Sequence, residues 1–149
     1  MAEGTILLIE DNPDDRALTL RALEKQQTPW PVVVVEDGVA ALDYLFGTGE
    51  WAGPQAPEAP ELILLDLNLP RLGGLEVLAR LRAHPRTRLC PVVVLTSSLE
   101  QRDLLESYER GANSYVQKPV DFVEFVQAVR RLGIYWLLLN RLPERGAPS

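Results

Sequence analysis

Three hydrophobic runs in this chain stop at polar residues that can do chemistry, and this repetition restricts the possible folds more than any other feature. Ile6-Leu7-Leu8-Ile9 ends in Glu10-Asp11, Leu62-Ile63-Leu64-Leu65 in Asp66, and Val92-Val93-Val94-Leu95 in Thr96-Ser97. A further polar residue, Lys118, follows the short run Ser114-Tyr115-Val116. Fully apolar runs of four or five residues read as strands buried on both faces, which is the signature of a parallel sheet. In an open parallel sheet, residues just past the carboxyl ends of several strands converge in one crevice. Three carboxylates, a hydroxyl and an ammonium gathered there suit a divalent cation and a phosphoryl group.

The stretches between these runs read as helices. Asn12-Pro13-Asp14 bends the chain and caps a helix that carries Ala17, Leu20 and Leu23 inward. Val32 to Val35 is a β-branched strand, and a helix from about Val39 to Phe46 is stopped by Gly47-Thr48-Gly49. Gly73-Gly74 opens a helix that turns Leu75, Leu78 and Ala79 to the sheet. Glu100 to Arg110 is the next helix, with Leu104, Leu105 and Tyr108, and Gly111 supplies the left-handed residue common past a helix end. From Asp121, Phe122, Phe125, Val126, Val129 and Leu132 recur at helical spacing, in a helix extending toward Asn140. Five β-α units in a row predict an α/β fold with helices on both faces of a parallel sheet. Pro54, Pro57 and Pro60 make the segment from Gly49 to Glu61 a surface loop.

Composition excludes several function classes. With 149 residues, 46% of them hydrophobic, the chain has room for one domain with a continuous core. A formal charge of −6 leaves no basic stripe for a polyphosphate backbone, so nucleic acid is not an expected partner. The strongly apolar run from Ile134 to Leu139 falls far short of the about 20 residues needed to span a bilayer, so no membrane insertion is expected. A single cysteine, Cys90, and no leader-like N-terminus give a cytoplasmic expectation. Cys90 reads as a small core residue, and His84, the only histidine, as a surface side chain in a Pro- and Arg-containing loop.

The four motif segments resemble a known family. Ile9-Glu10-Asp11-Asn12, Leu65-Asp66-Leu67-Asn68-Leu69-Pro70, Leu95-Thr96-Ser97 and Lys118-Pro119 are similar, in this order, to the signature of the response-regulator receiver domain of two-component signalling. The resemblance implies a flavodoxin-like, doubly wound, five-stranded parallel sheet of order 2-1-3-4-5 with an extended C-terminal helix. It makes Asp66 the phosphoacceptor, whose carboxylate takes a phosphoryl group from the histidine of a sensor kinase. It implies Mg²⁺ as the cofactor, held by Glu10, Asp11, Asp66 and the backbone carbonyl of Asn68, a set of hard oxygen donors that suits this ion. Lys118 and Thr96 would contact phosphoryl oxygens, Ser97 would let the backbone approach closely, and a cis peptide before Pro119 would aim Lys118. Thr96 and Tyr115 would form the switch pair, a two-state element biased by the added dianion.

The tail is the second informative region. Ile134-Tyr135-Trp136-Leu137-Leu138-Leu139 turns apolar residues to every side of a helix, more than one sheet can cover. A division into a receiver domain, 1–133, and a helical extension, 134–149, follows. The extension resembles the homodimerising tail of single-domain response regulators paired with bacterial phytochromes, with Tyr135, Trp136, Leu138 and Leu139 as contact residues. The expected function is phosphoacceptor signalling through protein contact, without a DNA-binding output domain and with no enzymatic activity beyond self-catalysed phosphotransfer and dephosphorylation. A phosphorelay intermediate is the alternative within the class. An aspartyl phosphatase of the haloacid-dehalogenase type is the alternative outside it, but that chemistry wants a general acid where this chain has Asn68.

Overall fold

The computed structural model describes residues 4–25, 30–54, 56–98, 100–118, 121–133, 135, 136 and 141, with residues 25, 122 and 133 described by backbone alone. Strands β1 (Ile6–Ile9), β2 (Val32–Val35), β3 (Leu62–Leu65), β4 (Val92–Thr96) and β5 (Ser114–Gln117) alternate with helices α1 (Pro13–Lys25), α2 (Gly38–Phe46), α3 (Gly74–Ala83), α4 (Gln101–Glu109) and α5 (Phe122–Gly133). All four strand pairings are parallel, and the order is β2-β1-β3-β4-β5, as the resemblance implies. A short 3₁₀ turn, Gly49–Trp51, begins the proline-containing loop.

Side-chain alternation along the strands divides the core in two. Leu7, Ile9, Ile63, Leu65, Val92 and Val94 face α2 and α3, where Leu45, Leu78 and Leu81 cover them. Ile6, Leu8, Leu62, Leu64, Val93 and Leu95 face α1 and α5, where Leu23, Phe125 and Val129 close the second layer. β1, β3 and β4 are completely buried, so their apolar runs have no polar side to show. Cys90 is buried and carries no disulfide, as expected.

The helices depart from the sequence reading in which residues they turn inward. On α1 the buried positions are Thr19, Ala22 and Leu23, and Ala17 faces solvent. Ala17 lies about 200° around the helix from Thr19, which places it opposite the buried stripe. On α3 Val77 and Leu81 join Leu78 in the core, while Leu75 and Ala79 are half-buried. The largest difference is on α4. Leu105 and Tyr108 are 61% and 50% exposed, and the small residue Ser107 is buried instead. Gly111 takes a left-handed backbone with φ 105°, and an added Cβ would press on the Arg82 side chain at 2.9 Å. Arg82 needs that space because its guanidinium donates to the carbonyls of Gly111, Arg88 and Cys90 and to Oδ1 of Asn113.

Trp51 and Trp30 are both half-buried and pack against the two core layers. Trp51 meets the ring of Tyr44 edge-on at 4.9 Å, and Trp30 lies half-buried against the α1–α5 layer. His84 stacks on Phe46 at 4.4 Å and its Nδ1 accepts the Arg86 N–H, a packing role. Of the tail residues, Trp136 packs partly buried on the α1–α5 layer and Tyr135 is 51% exposed, their rings meeting edge-on at 5.0 Å. Leu138, Leu139 and the expected run to Asn140 lie outside the described residues. Among the described residues no helix is long and apolar enough to cross a membrane.

Candidate functional site

In-register parallel pairing brings the strand-end residues together. Ile9 pairs with Leu65, and the Asp66 N–H donates to the Ile9 carbonyl at 3.1 Å. The residues that follow, Glu10 and Asp66, therefore leave adjacent strands side by side. Thr96, the last residue of β4, pairs with Gln117, and the Lys118 N–H donates to the Thr96 carbonyl at 2.7 Å. Every strand-end residue singled out in the sequence arrives at the same edge of the sheet.

The local chain paths are set by side chain to backbone bonds. Asn12 Oδ1 accepts the N–H groups of Asp14 and Asp15 at 2.9 and 3.1 Å, so Asn12 caps α1 and turns the chain away just past Asp11. Gly74 lets the start of α3 press on the Asp66 and Leu67 backbone, where any Cβ would collide. Asp37 caps α2 by accepting the Ala40 N–H at 2.7 Å. It also receives the Arg71 guanidinium on both oxygens, at 2.9 and 2.8 Å. Arg71 holds a left-handed backbone, φ 65°, in the loop after Asn68. This bidentate bond ties the loop that carries Asn68 to the top of β2, a brace that sequence reading did not find.

At the centre of the crevice is the Lys118 ammonium, in a residue only 7% exposed. It donates to Glu10 Oε1 at 2.5 Å, to Asp15 Oδ2 at 2.7 Å and to Asp66 Oδ2 at 2.9 Å. Asp66 Oδ1 accepts the Asn68 N–H at 3.1 Å. Thr96 is fully buried, and its Oγ1 accepts the Ser98 N–H at 3.4 Å. The Tyr115 hydroxyl donates to the Ser98 carbonyl at 3.1 Å, which links the aromatic of β5 to the loop that follows Thr96. Ser98 Oγ in turn donates to Asp103 Oδ2 at 2.6 Å and accepts the Glu100 N–H. Pro119 and its expected cis peptide lie outside the described residues.

The protonation behaviour follows from burial and crowding. Burial, aided by its hydrogen bond with Asp66, pushes the Glu10 carboxyl up to about 7, although Lys118 pulls the other way. Burial also opposes ionisation of Asp66, but hydrogen bonds from Glu10 and Lys118 outweigh it and hold its carboxyl below the usual range. The two crowded carboxyls are pushed in opposite directions, Glu10 toward its protonated form and Asp66 toward its ionised form. For Lys118 burial would favour the neutral amine, but hydrogen bonds to Asp15, Glu10 and Asp66 overcome it and raise its pKa.

Oxygens of Glu10, Asp11 and Asp66 lie within 4.8 Å of one another, and this is the group of acids among the described residues able to hold a metal ion. Sequence reasoning found each of these residues, as well as Thr96, Lys118 and Tyr115. It missed Asp15, whose only signal was an acid in the first turn of a helix.

A phosphoryl-compatible acid cluster at the carboxyl edge of a 2-1-3-4-5 parallel sheet defines a receiver, and the chain belongs to that family: the response regulator receiver domain model matches residues 6–130. Among curated relatives, the probable methanogenesis regulatory protein FilR2 of Methanothrix harundinacea is 41% identical over 93% of this chain and 86% of its own. Two solved structures are similar along nearly the whole chain. The phosphorylated cyanobacterial phytochrome response regulator RcpA shares 39% identity and a TM-score of 0.89, covering 96% of this chain and 100% of its own. The Mn²⁺-bound response regulator Rcp1, a protein of Synechocystis, shares 36% identity and a TM-score of 0.87, covering 95% and 99%.

Proposed function

We propose that this chain is a phosphoacceptor response regulator that receives a phosphoryl group on Asp66 from a histidine kinase and signals by protein contact. The observation that carries the reading is the buried Asp66 carboxylate, held ionised between Lys118 and the Asn68 N–H and beside two further acids. An Asp66 oxygen attacks phosphorus while the bond to the donor histidine nitrogen breaks. The electron pair of that bond leaves with the imidazole, and the product is an acyl phosphate. Little covalent assistance is needed; the protein must position the group and offset its charge.

The donor set suits a hard divalent cation. Asp11, Asp66, Glu10 and the Asn68 carbonyl would hold Mg²⁺, which supplies charge neutralisation between Asp66 and the incoming phosphoryl oxygens. Rcp1 takes Mn²⁺, and RcpA takes a phosphoryl group. Lys118 gives up a carboxylate to meet a phosphoryl oxygen, and the Thr96 hydroxyl donates to another. When Thr96 turns to the phosphate, the loop from Ser97 to Glu100 moves and Tyr115, bonded to Ser98, follows. Likeness to RcpA supports a phytochrome-type kinase as donor. Residues 134–149, with Tyr135, Trp136, Leu138 and Leu139, form the proposed homodimer contact, supported by the exposed ring of Tyr135.

The test is incubation of the full chain with Mg²⁺ and a small phosphodonor. The reading expects a hydroxylamine-labile phosphate that a chelator prevents and that Asp66→Asn lacks. Label that persists in Asp66→Asn, or no label at all, contradicts it.

A further inference from the structure

The Lys118 ammonium has three N–H donors, and three different carboxylates take them. Two of these, Glu10 and Asp66, also belong to the trio whose oxygens can hold a metal ion. An ammonium and a divalent cation therefore draw on the same two carboxylates. The third carboxylate, Asp15, stands outside that trio. It sits in the first turn of α1, its side chain 31% exposed, and its Oδ2 accepts from Lys118 at 2.7 Å. The Asp15 backbone is fixed independently, with its N–H on Asn12 Oδ1 and its carbonyl accepting the Thr19 hydroxyl at 2.8 Å. The carboxylate thus has a set position, and that position faces the ammonium across 103 residues of sequence.

We propose that Asp15 is a positioning residue that retains the Lys118 ammonium when Glu10 and Asp66 turn to a divalent cation. The inference rests on the receiver reading and adds a residue to it. Without Asp15, both carboxylates that hold Lys118 are ones the cation also draws on, and the two cations compete for them. With Asp15, Lys118 surrenders Glu10 and Asp66 while keeping one charge-assisted bond, and its two remaining donors are free for phosphoryl oxygens. The acidic first turn of α1 has an ordinary structural role as well, since carboxylates favour helix N-termini. A helix-terminus role acts on folding and leaves the competition between Lys118 and a cation untouched.

The experiment titrates the full chain with Mn²⁺, reading free ion by electron paramagnetic resonance, with thermal melts to verify folding. Asp15→Asn is measured in the native background and in a Lys118→Met background. The expected result is a loss of Mn²⁺ affinity of about fivefold in the native background, the scale of a partly exposed ion pair, and of less than about twofold when Lys118 is absent. Equal losses in both backgrounds would mean that Asp15 acts only as one more negative charge, and no loss in the native background would mean that it does not act at all. Either overturns the inference. Should Asp15→Asn fail to fold, Asp15→Ser carries the same expectations. Failure of the receiver reading is separate: the unsubstituted chain would then take up neither Mn²⁺ nor a phosphoryl group on Asp66.

Discussion

Leu64, inside β3, and Glu10, one residue past the end of β1, are each 1% exposed, yet burial acts on them with opposite sign. Leu64 gains from leaving water, as do its neighbours Leu8, Val93 and Leu95 in the same layer. Glu10 loses hydration and is compensated by bonds from Lys118 and the Asn12 N–H and by its raised affinity for a proton. The two regions meet within two residues along β3, where Leu64 and Leu65 give way to Asp66. The sheet supplies the stability, and its carboxyl edge gathers like charges that an incoming cation can relieve. One ammonium holds the carboxylates of the crevice together, while the floor beneath is close-packed apolar side chains.

This contrast can be broken or sharpened by substitution. Lys118→Met removes the only ammonium from three carboxylates and should cost about 3–5 kcal/mol in metal-free urea unfolding, much of it recovered by added Mg²⁺. Recovery is the informative part, because a purely structural lysine would show none. Leu64→Ala should cost about 2–5 kcal/mol with no recovery by Mg²⁺, since its loss is a cavity in the floor.

The pH dependence separates the regions further. Glu10 has its carboxyl raised from 4.5 to about 7 in the folded chain, so the fold binds a proton that the unfolded chain releases. Its contribution is full below the unfolded value and is lost as pH rises through about 7, amounting to less than about 3 kcal/mol. Asp66 works the other way: its lowered carboxyl contributes above 3.8 and loses that contribution as pH falls below it. Metal-free stability should therefore decline from about pH 4.5 to about 7, and Glu10→Gln should flatten that decline. A slope that survives Glu10→Gln would place the proton elsewhere. The smallest effect belongs to the exposed face of α4, where Leu105→Ser should change stability by less than about 0.5 kcal/mol.

The two regions also differ in how much of them the sequence reveals. Strands buried on both faces must be apolar throughout, so their ends are visible as the first polar residue, and Glu10, Asp66 and Thr96 stand out for that reason. Parallel pairing in register then leaves few ways to place those ends apart. Helix faces are less legible. Leu105 and Tyr108 have the spacing of a buried stripe, but α4 lies over β5 at the sheet margin and buries Ser107 instead. Asp15 was invisible for a related reason. An acid in the first turn of a helix has a sufficient local explanation, and only the arrival of Lys118 from β5 gives it a second one. The Arg71–Asp37 brace likewise joins residues 34 apart, a separation that no local pattern encodes.

The central claim is that the carboxyl-edge crevice, and Asp66 within it, receives the phosphoryl group. Its most direct measurement is peptide mass mapping of the full chain after treatment with Mg²⁺ and a small phosphodonor. The account predicts a single added phosphoryl group on the peptide containing Asp66, absent when Mg²⁺ is chelated. A phosphoryl group found on Glu10, Asp11 or any residue other than Asp66, or uptake independent of the metal, would contradict it.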